Sequence, residues 1–297
     1  MKHTFEQDDN TAKLGGSSAA NHEDGLLSLS KAFDFLEENA SRFIKDTHEN
    51  QSFIAHPDAS IEHKPEWHQF GIITHTRRFA DHFESTMQQY LREWGIDQKI
   101  NAYLDEKIDG ISKKDLLRLS IPFHDVGKLA GRYFKMKDGK PVAHYNGHEK
   151  LSEELIKGDG IIRQFLTSLG LTDPQIDYVA TCAGLHYERG KIRDIPRKTG
   201  SGFTIAFAQS QQCKEYCLAC SEEQPDFKVE MVVLYLCDSL AKTDIRLDVS
   251  TDEEIAAKAD DVARMVADLN LHPNLSSAIK QLPVNIVFVR TYLTLIP

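Results

Sequence analysis

Ser120-Ile-Pro-Phe-His-Asp-Val-Gly-Lys-Leu129 sets a histidine and a carboxylate side by side at the end of an apolar run. On a helix, neighbouring side chains diverge by about 100°, so His124 and Asp125 cannot both hide on one face. A cation in a cleft between several helices can take both. Imidazole nitrogen and carboxylate oxygen suit Zn, Fe, Mn or a mixed pair of metals. The reading requires that other histidines and aspartates converge on the same point from inward faces.

Working outward from this stretch, Ser112 with Asp115 three residues later marks a helix start of the capping-box kind, with Asp in place of Glu. That helix carries Leu116, Leu117 and Leu119 towards the pair, and Pro122 distorts it just before His124. Upstream, Ile72, Phe79, Phe83, Tyr90 and Trp94 form the apolar stripe of a helix over about 71–94. His75 lies three after Ile72 and four before Phe79, and so points inward. An earlier amphipathic helix is predicted over roughly 28–46, from Leu29, Ala32, Phe33, Leu36, Ala40 and Phe43. His56-Pro57 and Lys64-Pro65 break the pattern between the two.

Downstream, residues 130–147 hold Gly131, Asp138-Gly139, Pro141 and Asn146-Gly147 and read as a loop. A short helix follows with His148, Leu151, Ser152 and Leu155 on one face, ended by Gly158. The next starts near Thr172-Asp173-Pro174, where proline suits the first turn, and its stripe Ile176, Val179, Ala180, Ala183 leads to His186. Residues 202–210 alternate loosely and suggest a short strand. A very apolar helix over about 229–246 places Asp238 on a face with Met231, Leu234, Ala241 and Ile245. A polar helix near 252–269 and a β-branched run from Val284 to Leu295, strand or helix, complete the chain. The fold class is therefore mainly all-α with one or two short strands. Residues 1–24, polar and glycine-containing, are expected to be a mobile tail, with 25–297 one helical domain.

The chain has 297 residues, 41% hydrophobic and 27% charged, the profile of a globular protein. Its net charge of −10 argues against long nucleic acid or an anionic membrane as partner and leaves room for a local basic patch. No apolar run reaches the roughly 18 residues of a membrane span, and no secretory signal opens the chain. Five cysteines, an odd number, fit a reducing compartment, so a cytoplasmic setting is expected.

A lone histidine on an apolar face is ordinarily a hydrogen-bonded core residue. Here His75, His148, His186 and Asp238 join the adjacent His124-Asp125, and an unpaired buried carboxylate costs several kcal/mol. One metal centre satisfies all of these groups together. The order His75, His124-Asp125, Asp238, with Gly127 and Lys128 completing His-Asp-Val-Gly-Lys, resembles the HD superfamily of metal-dependent phosphohydrolases. The resemblance covers about residues 66–245 and implies an all-helical bundle with a histidine, a His-Asp pair and a distant aspartate as ligands. His148 and His186 fall where two-metal members carry further histidines. Pro65-Glu-Trp-His-Gln-Phe-Gly-Ile-Ile-Thr-His-Thr76 is similar to the first-ligand segment in the HD module of bacterial tRNA nucleotidyltransferases, although no transferase domain precedes it. His186-Tyr187-Glu188 lacks the Gly-Tyr-Pro signature of the cyclic-di-GMP branch.

The implied chemistry is hydrolysis of a phosphomonoester or phosphodiester, a nucleotide or related small anion, with one or two divalent ions; Mn, Fe, Zn, Mg and Ni are not distinguished. Asp125 would bridge the ions, with His75, His124 and Asp238 on one and His148 and His186 on the other. Lys128, four residues after His124, is a candidate for charge stabilisation, with a solvated surface lysine as the bland reading. Arg189, Lys191, Arg193, Arg197 and Lys198 follow a ligand and suggest an anion-binding rim, with Arg132 a weaker candidate; a solvated loop is the default for such a run. The same ligand set serves HD-fold mixed-valent diiron oxygenases, and a nucleotide sensor without turnover is a non-enzymatic alternative. Cys213-x3-Cys217-x2-Cys220 has radical-SAM spacing, but only 77 residues follow it, so ordinary reduced cysteines are the reading preferred. Oligomeric state is not legible in the sequence.

Overall fold

The helix Glu230–Ala241 is buried along its whole length, as its all-round apolar sequence requires. It packs against Ile72–Asp81, Asp173–Leu185 and the C-terminal helix Leu282–Leu295, which makes it the central post of the structure. The computed structural model describes residues 29–64, 66–198, 200–245, 247, 251–268 and 271–296. The expected tail over residues 1–24 lies outside the described residues. Among the described residues the architecture is mainly all-α, with two small antiparallel hairpins, and one hydrophobic cluster runs from Ala32 to Ile296. Among the described residues no helix is long and apolar enough to cross a membrane.

Most helices lie where periodicity and caps place them. The first runs Leu29–Phe43 and buries Ala32, Phe33, Leu36 and Ala40. The helix carrying His75 runs Ile72–Asp81, continues through a π-helical turn at His82–Thr86 and ends as Met87–Glu93. Its start is capped from a distance: Asp58 accepts hydrogen bonds from Ile73 N at 2.7 Å and Thr74 N at 2.9 Å, which satisfies donors that open every helix. Ser112 caps Lys113–Ser120 by accepting from Asp115 N at 3.1 Å. Thr172 and Gln175 form a full capping box at the start of Asp173–Leu185.

Two expectations are corrected and one open reading is resolved. Residues 130–147 are not a plain loop, because Tyr133–Lys137 pairs antiparallel with Lys140–His144. The two-residue turn between them uses Asp138 (φ 51°) and Gly139 (φ 75°), and Asp-Gly is well suited to left-handed conformation at both positions. A smaller hairpin, Lys107–Ile108 with Ile111–Ser112, repeats the device at Asp109-Gly110. The strand suggested for 202–210 is the short helix Ile205–Gln209, whose N-cap Thr204 accepts from Phe207 N at 3.2 Å. The ambiguous run 284–295 lies in the helix Leu282–Leu295, where burial of Ile286, Val287, Phe288 and Val289 outweighs the modest helix penalty of β-branched residues.

Candidate metal centre

The break in the chain at Pro122 resolves the geometric problem of adjacent ligands. Ile121–Phe123 forms a 3₁₀ turn, and Asp125 is the non-helical residue that opens the short helix Val126–Ala130. Asp125 (φ −108°, ψ 7°) leaves the helical path just after His124, which keeps helical dihedrals, so both side chains reach one point between helices. Gly127 allows this approach. A Cβ on it would lie 2.1 Å from the His148 carbonyl oxygen and 2.8 Å from Ser152 N, so the His148–Lys157 helix sits directly on its backbone. Ser152 Oγ completes the joint, accepting from Gly127 N at 2.9 Å and donating to the His124 carbonyl at 2.8 Å.

The six expected ligand side chains converge, and Asp125 divides them. Its Oδ2 faces His75 Nε2 at 3.7 Å and His124 Nε2 at 3.4 Å, while Asp238 Oδ1 lies 3.1 Å from His75 Nε2 and 4.0 Å from His124 Nε2. Its Oδ1 faces the other way, to His148 Nε2 at 3.2 Å and His186 Nε2 at 3.7 Å. Two groups with potential ligand atoms within 4.8 Å of one another result, His75 with His124 and Asp125, and Asp125 with His148 and His186. His148 is half-buried and the other five are buried.

Hydrogen bonds orient three of the rings. His124, His148 and His186 each direct Nδ1 at the carbonyl three residues earlier, Ile121 at 2.7 Å, Tyr145 at 3.0 Å and Ala183 at 2.7 Å. A carbonyl only accepts, so each Nδ1 carries a proton, and in the neutral ring each Nε2 presents a lone pair. Those lone pairs point at carboxylate oxygens, which also only accept. Acceptor facing acceptor at 3.2–3.4 Å is repulsive unless a proton or cation lies between. Buried His124 Nε2 and Asp125 Oδ1 correspondingly have no hydrogen-bond donor. The donor set and its orientation therefore fit one or two borderline divalent ions. Burial drives the His75 imidazole below its ordinary value, against the raising effect of Asp238, and pushes His186 down to about 3. Both are thus free of the extra proton that blocks ligation.

Two lysines complete the charge balance. Burial alone would raise the Asp125 carboxyl, but the Lys128 ammonium, with Nζ 2.6 Å from Oδ2, holds it well below the usual carboxylate range. Burial opposes ionisation of Asp238 in the same way, and Lys242, with Nζ 3.0 Å from Oδ2, leads the groups that hold it low. Lys128 is therefore buried in the site, and the solvated-lysine reading falls. Lys242 was legible as a partner four residues beyond Asp238 on the same helix face.

A cavity of about 350 Å³ opens onto the centre, lined in part by Trp67, His68, Lys128, His148, His186 and Lys242. His63 and His68 also belong to it. Both are buried, their rings 5.0 Å apart, and His63 has no hydrogen-bond partner at either nitrogen. Burial, then Lys128, drives both well below the ordinary imidazole value. His63 ends the one-turn helix Ser60–His63 and His68 follows it, in a connection where no periodicity assigns an inward face; the His63-x4-His68 spacing was a signal.

The expected cationic rim divides. Arg132 lies between the Phe53 and Phe134 rings at 4.4 and 4.9 Å, with Glu62 3.6 Å away, and does not line the cavity. Arg189 is buried with an N–H 3.1 Å from Met231 Sδ, a core position rather than a rim. Arg193, with Lys191 and Arg197, lines a neighbouring cavity, and Lys198 is exposed. Cys213, Cys217 and Cys220 are buried along one face of the helix Gln211–Glu223. At that spacing they are packing residues, and among the described residues they form no metal-binding group.

Comparison of the chain with models of known protein families, with curated proteins and with solved structures finds no match in any of the three.

Proposed function

We propose that the chain is a metal-dependent phosphohydrolase of the HD type, cleaving a phosphomonoester or phosphodiester of a small anionic substrate. The observation that carries this reading is the division of Asp125: one carboxylate oxygen faces the His75/His124/Asp238 side and the other faces His148 and His186. That is the arrangement a bridging carboxylate needs between two cations. When bound, such ions lower the pKa of a water and polarise a phosphoryl oxygen.

The chain's own residues supply the remainder. His75, His124 and Asp238 would hold one ion, His148 and His186 the other, and Asp125 both. Lys128 and Lys242 bring two ammonium groups to a cavity whose other walls include Trp67, Tyr145 and Tyr187. They favour a substrate with dianionic or developing negative charge. Hydrolysis adds water across the P–O bond: the water oxygen joins phosphorus, the bond to the leaving oxygen breaks, and a proton passes to that oxygen.

The test is Asp125→Ala, assayed on p-nitrophenyl phosphate and bis(p-nitrophenyl) phosphate with Mn²⁺. Expected are loss of bound metal and of turnover with helical circular dichroism retained. Full activity in the variant would refute the mechanism. A mixed-valent iron signal by EPR in the partly oxidised parent, with no phosphoester turnover, would replace it with oxygenase chemistry. Nucleotide binding without turnover would replace it with a sensor.

A further inference from the structure

The cavity at the candidate centre is one of two that meet. A second, of about 530 Å³, lies beyond Trp67 and Tyr187, the two side chains that line both. Each volume falls in the range of small-molecule sites, about 300–1,000 Å³. The second cavity carries an excess of positive charge, Lys191, Arg193 and Arg197 against Asp194, in a chain of net charge −10. Neutral hydrogen-bonding residues, Asn274, Ser277 and Gln281, also line it.

These cations are arranged for an exchangeable anion. Arg193 is half-buried, its guanidinium anchored by Asn285 Oδ1 at 3.1 Å and set 5.8 Å from the Tyr235 ring, so its fork is positioned before any ligand arrives. Lys191 and Arg197 are exposed and paired with near neighbours, Glu188 at 2.6 Å and Asp194 at 3.4 Å. Solvent-exposed pairs of this kind are held weakly and can re-pair with a phosphate. Between the two cationic regions stands an aromatic wall. Trp67 is 43% exposed, and Tyr187 directly follows His186.

From this juxtaposition we infer that the substrate is a linear nucleotide diester bearing a second phosphate. Its scissile phosphate occupies the first cavity, a base lies against Trp67 and Tyr187, and the second phosphate sits among Lys191, Arg193 and Arg197. A planar ring suits the shared wall because every base offers a face for stacking. The inference rests on the proposed phosphohydrolase reading. Cleavage is the same balanced addition of water, with the leaving oxygen that of the neighbouring nucleoside.

The test uses the full chain with Mn²⁺ and three substrates: bis(p-nitrophenyl) phosphate, the dinucleotide ApA and its 5′-phosphorylated form pApA. The expected result is a kcat/KM for pApA about tenfold or more above ApA, the gain from new charge-assisted contacts. Lys191→Gln with Arg197→Gln, both surface changes, should bring the pApA to ApA ratio close to one. Arg193→Gln should do the same if it folds, and the surface pair keeps the test valid if it does not. Turnover of bis(p-nitrophenyl) phosphate with equal rates on ApA and pApA in the parent would overturn the inference and leave the hydrolase reading intact. A pApA preference untouched by the double variant would overturn the placement of the second phosphate. No turnover of any of the three would overturn the hydrolase reading itself.

Discussion

Gly127→Ala tests whether the second half of the centre depends on the contact between two helices. The added Cβ would lie 2.1 Å from the His148 carbonyl oxygen and 2.8 Å from both Ser152 N and Oγ. These are mostly backbone atoms at a helix start, so no flexible side chain can swing away. Restoring ordinary contact requires the His148–Lys157 helix to withdraw by about 1 Å, and metal ligation tolerates about 0.2 Å. His148, whose Nε2 is 3.2 Å from Asp125 Oδ1, moves with that helix. Overpacking of this kind costs about 1–3 kcal/mol, here at the upper end. Loss of the 2.9 Å bond from Gly127 N to Ser152 Oγ costs about 1 kcal/mol more. The helix-propensity gain of alanine over glycine, up to about 1 kcal/mol, offsets part of this. The net is a loss of about 2–3 kcal/mol. For a chain of this size that lowers the melting temperature by roughly 4–12 °C. Metal analysis after Mn²⁺ loading should show the parent holding two ions and the variant one, because His75, His124 and Asp238 do not ride on the displaced helix. A variant that holds both ions and melts within a degree of the parent would refute the reasoning.

Two further substitutions probe the charges. Lys128→Met removes the ammonium 2.6 Å from Asp125 Oδ2; in chelator-treated protein this should cost about 3–5 kcal/mol, the effect of stranding a buried charge, and Mn²⁺ should restore much of it. Turnover should fall about 10²–10³-fold even when metal is bound, and equal melting of the chelated parent and variant would argue against the pairing. Glu230→Gln addresses a site remote from the centre. Burial pushes the Glu230 carboxyl above its ordinary 4.5, although Tyr178 and Tyr103 hydroxyls donate to it at 2.6 and 3.1 Å. Above pH 4.5 the unfolded chain releases this proton while the folded chain keeps it, so parent stability falls as pH rises from 4.5 to the raised folded value. The glutamine variant should lack that fall. Denaturant midpoints for both proteins across pH 4–8 measure it, and parallel curves would show that Glu230 ionises without penalty.

What the sequence makes legible follows physical rule rather than element type. Helices with a long apolar stripe and a chemical start signal, such as Lys113–Ser120 behind Ser112 and Asp173–Leu185 behind Thr172, are readable because the signal is local. The hairpin at 133–144 was legible only through Asp138-Gly139, and its strands, half-buried at one end and exposed at the turn, offer no strong alternation to set against a loop. The helix Leu282–Leu295 could not be told from a strand because burial on nearly every face erases the period that separates them. Arg189 and Arg193 are close in sequence, yet one enters the core and the other a cavity, since 188–193 forms a 3₁₀ helix whose tighter turn changes the facing.

The six candidate positions differ in how far their facing could be read from the chain's periodicity. His75 and Asp238 project from the middle of two helices that pack on each other; the facing of His75 follows from period, and Asp238 lies in a helix buried on every side. His124, Asp125, His148 and His186 sit at helix ends, where the direction of a side chain depends on the turn beside it. For three of these the direction is set by an Nδ1–H bond to the carbonyl three residues back, a feature of the bent backbone that no periodicity encodes. The His75/Asp238 side is thus built into rigid helix interiors, and the His148/His186 side is assembled by docking helix ends onto Gly127 and Asp125. A two-ion centre on this scaffold should lose the ion at His148 and His186 first whenever packing around Gly127 and Ser152 is disturbed, because His148 rides on the helix that docks there, whereas His124 meets the joint through its backbone carbonyl.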